Sequence, residues 1–134
     1  MHEASRETLV QDLTGLLGVG RDRMDMLYLR SRRTSHDLIV MVEANSLLLA
    51  YVQTGWLDVA GAWRFRRYGS KSGLSPRFER WGRQFVHLVA LGSDAVRAST
   101  RIDECFAAVY RLFGPFALEF TRQGWSPVQS VPPN

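Results

Sequence analysis

An apolar stripe of helical period in the last third of the chain constrains the fold more than any other feature. Ala95, Ala98, Ile102, Cys105, Val109 and Leu112 recur three or four residues apart, which lines one face of a helix and requires a partner surface to bury it. Ser93 supplies an N-cap and Gly114-Pro115 a stop, so the spacing predicts a helix over 95–113. Phe116, Leu118 and Phe120 then alternate with Ala117, Glu119 and Thr121, the period of a half-buried strand over 116–122. One apolar helix face followed at once by one apolar strand face implies a helix packed on a sheet.

The remaining segments fill out that sheet. Residues 6–17 read as a first helix, with Ser5 as N-cap, Glu7 in the first turn and Leu9, Leu13, Leu16 and Leu17 on one side. Residues 24–30 read as a strand and 31–35 as a polar loop. The apolar run 38–52 suits two buried strands or a buried helix. β-branched Ile39, Val40 and Val42 and the Asn45-Ser46 pair favour two strands around a turn. Gly55 and Gly61 bracket a short irregular or helical stretch. Trp63 and Phe65 alternate with Arg64 and Arg66, which reads as a strand with one apolar and one basic face. Residues 69–76 read as a Gly- and Ser-rich loop and 85–91 as another buried strand.

These elements predict an α+β fold, a mostly antiparallel sheet of about five to six strands with an N-terminal helix and a long C-terminal helix packed on one face. At 134 residues with 46% apolar and 22% charged residues, the chain is expected to form a single domain over 1–134, with 127–134 as a flexible tail. The order of elements resembles that of small bacterial adaptor folds, type III secretion chaperones among them, with no linear family motif beside it. A lone cysteine, Cys105, and a polar start at 1–6 point to a cytoplasmic protein. No apolar run reaches the roughly 20 residues of a membrane span.

Most local motifs read as structure. Gly15, Gly18 and Gly20 follow a helix, whereas a dinucleotide loop follows a strand. Residues 69–73 carry a lysine and serines without the glycine spacing of a phosphate loop. Ser35, His36 and Asp37 are triad residue types, but neighbours along an extended chain point apart. His87 inside an apolar strand reads as a hydrogen-bonded core histidine, Cys105 on the helix stripe as a small buried hydrophobe, and Glu43 as a solvated strand end beside a turn. No catalytic residue, metal ligand set or cofactor motif is recognised.

The charge is concentrated in one window. Residues 63–83 carry seven basic residues against the single Glu79, a local +6, while the rest of the chain sums to −2. In that window Trp63, Tyr68 and Trp81, with Phe65 and Phe78, are interleaved with Arg64, Arg66, Arg67, Lys71, Arg77, Arg80 and Arg83. Cations along phosphates and aromatic faces under bases are what a single-stranded nucleic acid requires. The same alternation is also what an exposed strand with solvated arginines would show. The reading is a non-catalytic binding module whose basic-aromatic segment contacts a polyanion, a nucleic acid or an acidic protein, with no membrane partner. The alternative is a protein-binding adaptor, chaperone or immunity-type protein acting through an apolar groove or a sheet edge, or a homodimer formed through 47–52 or an edge strand.

Overall fold

The structure is a computed structural model that describes residues 3–4, 6–19, 23–31, 37–111 and 118–123. Its architecture is the expected α+β one. Chain order is β1 (Glu3–Ala4), α1 (Arg6–Val19), β2 (Met26–Ser31), β3 (Leu38–Glu43), β4 (Ser46–Gln53), a 3-10 turn (Trp56–Asp58), α2 (Val59–Lys71), β5 (Arg77–Trp81), β6 (Gln84–Gly92), α3 (Ala95–Tyr110) and β7 (Leu118–Gln123). The strands form one antiparallel sheet in the order β1-β7-β2-β3-β4-β6-β5. Of the expected polar loop 31–35, Ser31 ends β2 and residues 32–35 lie outside the described residues, as do Ser5, the Gly114-Pro115 stop and the tail 127–134.

Two-residue turns set the register of the two hairpins. Ala44 and Asn45 both have positive φ, 52° and 63°, the backbone of a type I′ turn whose twist matches that of the strands it joins. The turn falls one residue earlier than Asn45-Ser46, and Glu43 pairs with Ser46. Between β5 and β6 only Gly82 has positive φ, 63°, as a type II′ turn requires at its first central position.

All three helices pack on one face of the sheet. Leu9, Leu13 and Leu16 of α1, Phe65 of α2, and Ala98, Ile102, Cys105, Phe106 and Val109 of α3 share one core with Leu27, Leu29, Val40, Leu49, Tyr51 and Val89. The α3 stripe is therefore buried as its spacing requires. Its N-cap is Asp94, one residue beyond Ser93, with the carboxylate accepting from the N–H groups of Val96 and Arg97. On the opposite face Ile39, Met41, Leu48, Ala50, Val86 and Leu88 form a second cluster. A curl of the sheet brings Trp81 of β5 into the same hollow, about 400 Å³, as Met26 and Tyr28 of β2. Those two strands stand four spacings apart, about 19 Å in a flat sheet. Beside that hollow, Arg23 donates to both Glu79 oxygens (2.7 and 2.8 Å) and pairs with Glu43 at 2.8 Å, while Arg77 reaches Glu43 at 3.3 Å. This clasp holds the Glu79 carboxyl down at about 2, chiefly through Arg23.

Two expectations are corrected. Residues 63–66 are not a strand, and 69–71 are not a loop: both belong to α2. The helix buries Gly61, Ala62, Phe65, Tyr68 and Gly69, a stripe of helical period in which two positions are glycine. The glycines let the helix lie close against the sheet. A Cβ at Gly69 would come within 2.6 Å of Val89 Cγ1 and 2.9 Å of Pro76 Cγ. Leu47 to Val52, in turn, is not an interface. It forms β4, hydrogen-bonded to β3 on one side and β6 on the other, and Leu47 through Tyr51 are all buried within the domain. A homodimer built on this run has no surface to use.

Candidate functional site

Forming a helix where a strand was expected redistributes the basic window. Successive residues on a helix are turned by about 100°, so side chains three and four apart share a face and those two apart do not. Trp63, Arg64, Arg67, Tyr68 and Lys71 accordingly collect on the side of α2 that faces α3. Arg66 turns the other way, toward the sheet, where Nη1 lies 3.3 Å from Arg77 O and 3.4 Å from His87 Nδ1. Arg77, Arg80, Trp81 and Arg83 sit on β5 and its turn. The ten residues thus make two surfaces and not one.

The first is a groove of about 520 Å³ between α2 and α3. Its α3 wall comes from Glu104, Ala107, Ala108 and Arg111, residues missed in the sequence because they lie off the core stripe. Their spacing of three, four and seven marks a second face of the same helix. Ala107 and Ala108 keep that wall low and apolar. Four cations, Arg64, Arg67, Lys71 and Arg111, stand against one carboxylate, Glu104.

Each cation has an identifiable anchor or freedom. Arg64 Nε donates to Val109 O at 2.7 Å, satisfying a carbonyl in the last turn of α3 that the helix itself leaves open. Arg111 is the C-cap of the same helix in the left-handed conformation, φ 56°. Both guanidinium groups therefore sit at the negative end of the α3 dipole, which offsets part of their mutual repulsion. The Arg67 guanidinium lies over the Trp63 ring, 5.1 Å from its centroid, a cation–π contact on an indole that remains 56% exposed. Tyr68 anchors the floor. Its hydroxyl donates to Glu104 Oε1 and lies within hydrogen-bonding distance of Arg101 O, both at 3.0 Å, and burial together with Glu104 raises its pKa well above the usual phenol range.

The second surface is the outer edge of the sheet. Phe78 is 52% exposed and packs at 5.7 Å, with its ring tilted by 47°, against Phe85, which meets the 80% exposed Trp56 edge-on at 6.1 Å. The Arg80 guanidinium lies 5.8 Å from the Phe85 ring centroid. Trp81 is half-buried on the other face, its indole N–H donating to Glu79.

His87 is buried between Gln53 Oε1, 3.0 Å from Nε2, and Arg66 at Nδ1. Burial and then the Arg66 charge lower its pKa, so it is a neutral, hydrogen-bonded core residue. Cys105 is fully enclosed, and burial pushes its thiol far up. Glu43 stands at a strand end within the clasp, and Asp37 pairs with Arg30 at 2.8 Å. Among the described residues no group of three His, Cys, Asp or Glu side chains converges as a metal site would, and no helix is long and apolar enough to cross a membrane. No protein-family model matches the chain, and neither a curated protein nor a solved structure gives a significant match.

Proposed function

We propose that the protein is a non-catalytic binding module whose α2–α3 groove takes a polyanion, best read as a single-stranded nucleic acid. The observation that carries this reading is the meeting of four cations with an exposed indole in one groove. Cations alone would suit any acidic surface. An exposed Trp63 in contact with Arg67 adds a platform on which a base can stack, at about 1 to 3 kcal/mol per base. The footprint is short. The groove seats a stacked base, and the phosphates flanking it along the strand reach Arg64, Arg67, Lys71 and Arg111.

The test is titration with a fluorescein-labelled oligothymidylate of about twelve nucleotides, read by anisotropy and by tryptophan quenching. Four neutralised phosphates give a log–log salt slope of roughly −2.8, at about −0.7 for each phosphate on a single strand. Replacing Arg67 or Lys71 by alanine should reduce the slope by about 0.7 each, and Trp63→Ala should weaken binding without changing it. Arg80→Glu and Arg83→Glu, on the other surface, should leave the titration unchanged. No binding at low salt, or equal losses from both sets of variants, would overturn the proposal. Tighter binding of polyglutamate than of oligothymidylate would assign the groove to an acidic protein.

A further inference from the structure

We infer that β5 is a docking edge that accepts an extended acidic segment of another protein as an additional strand. This surface is distinct from the α2–α3 groove. In the sheet order β5 is the last strand, and among the described residues no strand pairs with its outer side. The opposite edge, β1, is only two residues long.

The register fixes which backbone groups β5 offers. The two-residue turn at Gly82-Arg83 makes Trp81 and Gln84 the closing, hydrogen-bonded pair of the hairpin. Hydrogen-bonded residues alternate along an antiparallel pair, so Trp81, Glu79 and Arg77 bond to β6. Phe78 and Arg80 direct their N–H and C=O groups outward. The β3–β4 hairpin gives the same parity independently. Closure at Glu43 and Ser46 turns Leu49, Tyr51 and Gln53 toward β6, opposite Val89, His87 and Phe85. That leaves Gln84, Val86 and Leu88 facing β5, as the first count requires.

The side chains state what kind of strand fits. A solvent-exposed edge is ordinarily guarded by charge and kept free of large apolar groups. Here Phe78 and Trp56 are exposed beside it, forming an aromatic row through Phe85 on the helix-bearing face. Arg80 stands on the same face as that row, with Arg83 in the turn beside it. Arg77 lies on the opposite face, where it is already paired with Glu43 and Glu79, each at 3.3 Å. The complementary partner carries an apolar residue opposite Phe78 and an acid opposite Arg80, two positions away on the same face. A second copy of this chain would instead set the same arginines against themselves.

The experiment uses the full chain and a fluorescein-labelled heptapeptide with Phe placed to meet Phe78 and Glu two residues before it to meet Arg80 (EETFTVT), with its lysine counterpart (KKTFTVT) as control. Anisotropy should report binding of the acidic peptide and at least tenfold weaker binding of the basic one. Arg80→Pro removes an outward N–H and none of the bonds to β6, so it should weaken the acidic peptide at least tenfold while the far-UV spectrum is retained. Should that variant fail to fold, Arg80→Glu and a peptide N-methylated on alternate amides carry the same expectation. Oligothymidylate should not displace the peptide, and Arg67→Glu should not affect it. Equal binding of both peptides, or indifference to Arg80→Glu and to N-methylation, overturns the inference. Sedimentation showing a dimer that Arg80→Pro abolishes would overturn it in favour of a second copy.

Discussion

Truncating Phe65 and Trp63 separately to alanine distinguishes the helix at 59–71 from the strand that alternation suggests. In a strand, residues two apart share a face and would lose burial together, whereas in a helix they stand about 200° apart. Phe65 is completely buried with its ring 5.5 Å from that of Tyr51, and Trp63 is mostly exposed. Removing a buried phenyl exposes about 150 Å² of apolar burial at about 25 cal/mol/Å², roughly 4 kcal/mol, within the 3–5 kcal/mol typical of such changes. At an unfolding entropy of about 2.1 cal/mol/K per residue, a chain of 134 residues should lose roughly 14 °C in Tm. Trp63→Ala should cost no more than about 1 kcal/mol, under about 4 °C. Thermal melts followed by circular dichroism read both. Equal losses at the two positions would refute the helical assignment and, with it, the groove.

Three further outcomes follow from the same geometry. Ile102→Asp places a charge at the fully buried centre of α3 and should unfold most of the population at 25 °C, since unpaired buried charge costs several kcal/mol against a total of about 5–15; an unchanged melt would dismiss the packing described. Cys105 should react with a thiol reagent over hours in the native protein and within minutes in denaturant, because its thiol is both enclosed and held protonated. The urea midpoint should fall with acid in two stages. His87 is depressed in the folded state, so stability is full above 6.5 and declines as pH falls below it; Glu79, held at about 2, contributes stability above 4.5 that is lost as pH drops toward 2. His87→Gln should abolish the upper stage and Glu79→Gln the lower, and a midpoint insensitive to pH between 7 and 3 would contradict both assignments.

What could be read from residues alone was the part where pattern and burial agree over many positions. The α3 stripe spans five turns and the β3–β4 run pairs β-branched residues with a turn, so each was recognisable before any neighbour was known. The α2 helix was hidden because its buried face is Gly61, Ala62, Phe65, Tyr68 and Gly69, and two of the five contribute no side chain to a hydropathy pattern. Against that thin stripe, four alternating residues from Trp63 to Arg66 pointed to a strand. The identity of the basic-aromatic residues was legible, and their division between two surfaces was not. That division depends on the 100° step of α2 and on the return of β5 beside β6, both properties of the chain path and not of the window. The α3 side of the groove was written in Glu104, Ala107, Ala108 and Arg111, but a second helix face signals a site only when something is known to lie across from it.

The position of β7 between β1 and β2 governs the order in which the molecule can be completed. The strands from β3 to β6 pair only with partners made before residue 93, and α3 can then close over them. The outer edge of β2, however, stays open until residues 118–123 arrive, although its own residues are made about ninety positions earlier. During synthesis the nascent chain therefore carries an unfilled slot in its sheet for most of its elongation, and closure of that slot is a long-range step with a high loop entropy. The two-residue β1 cannot form at all until β7 is in place, since β7 is its partner. β1 is thus fastened after every other described strand, by β7, the last of them along the chain.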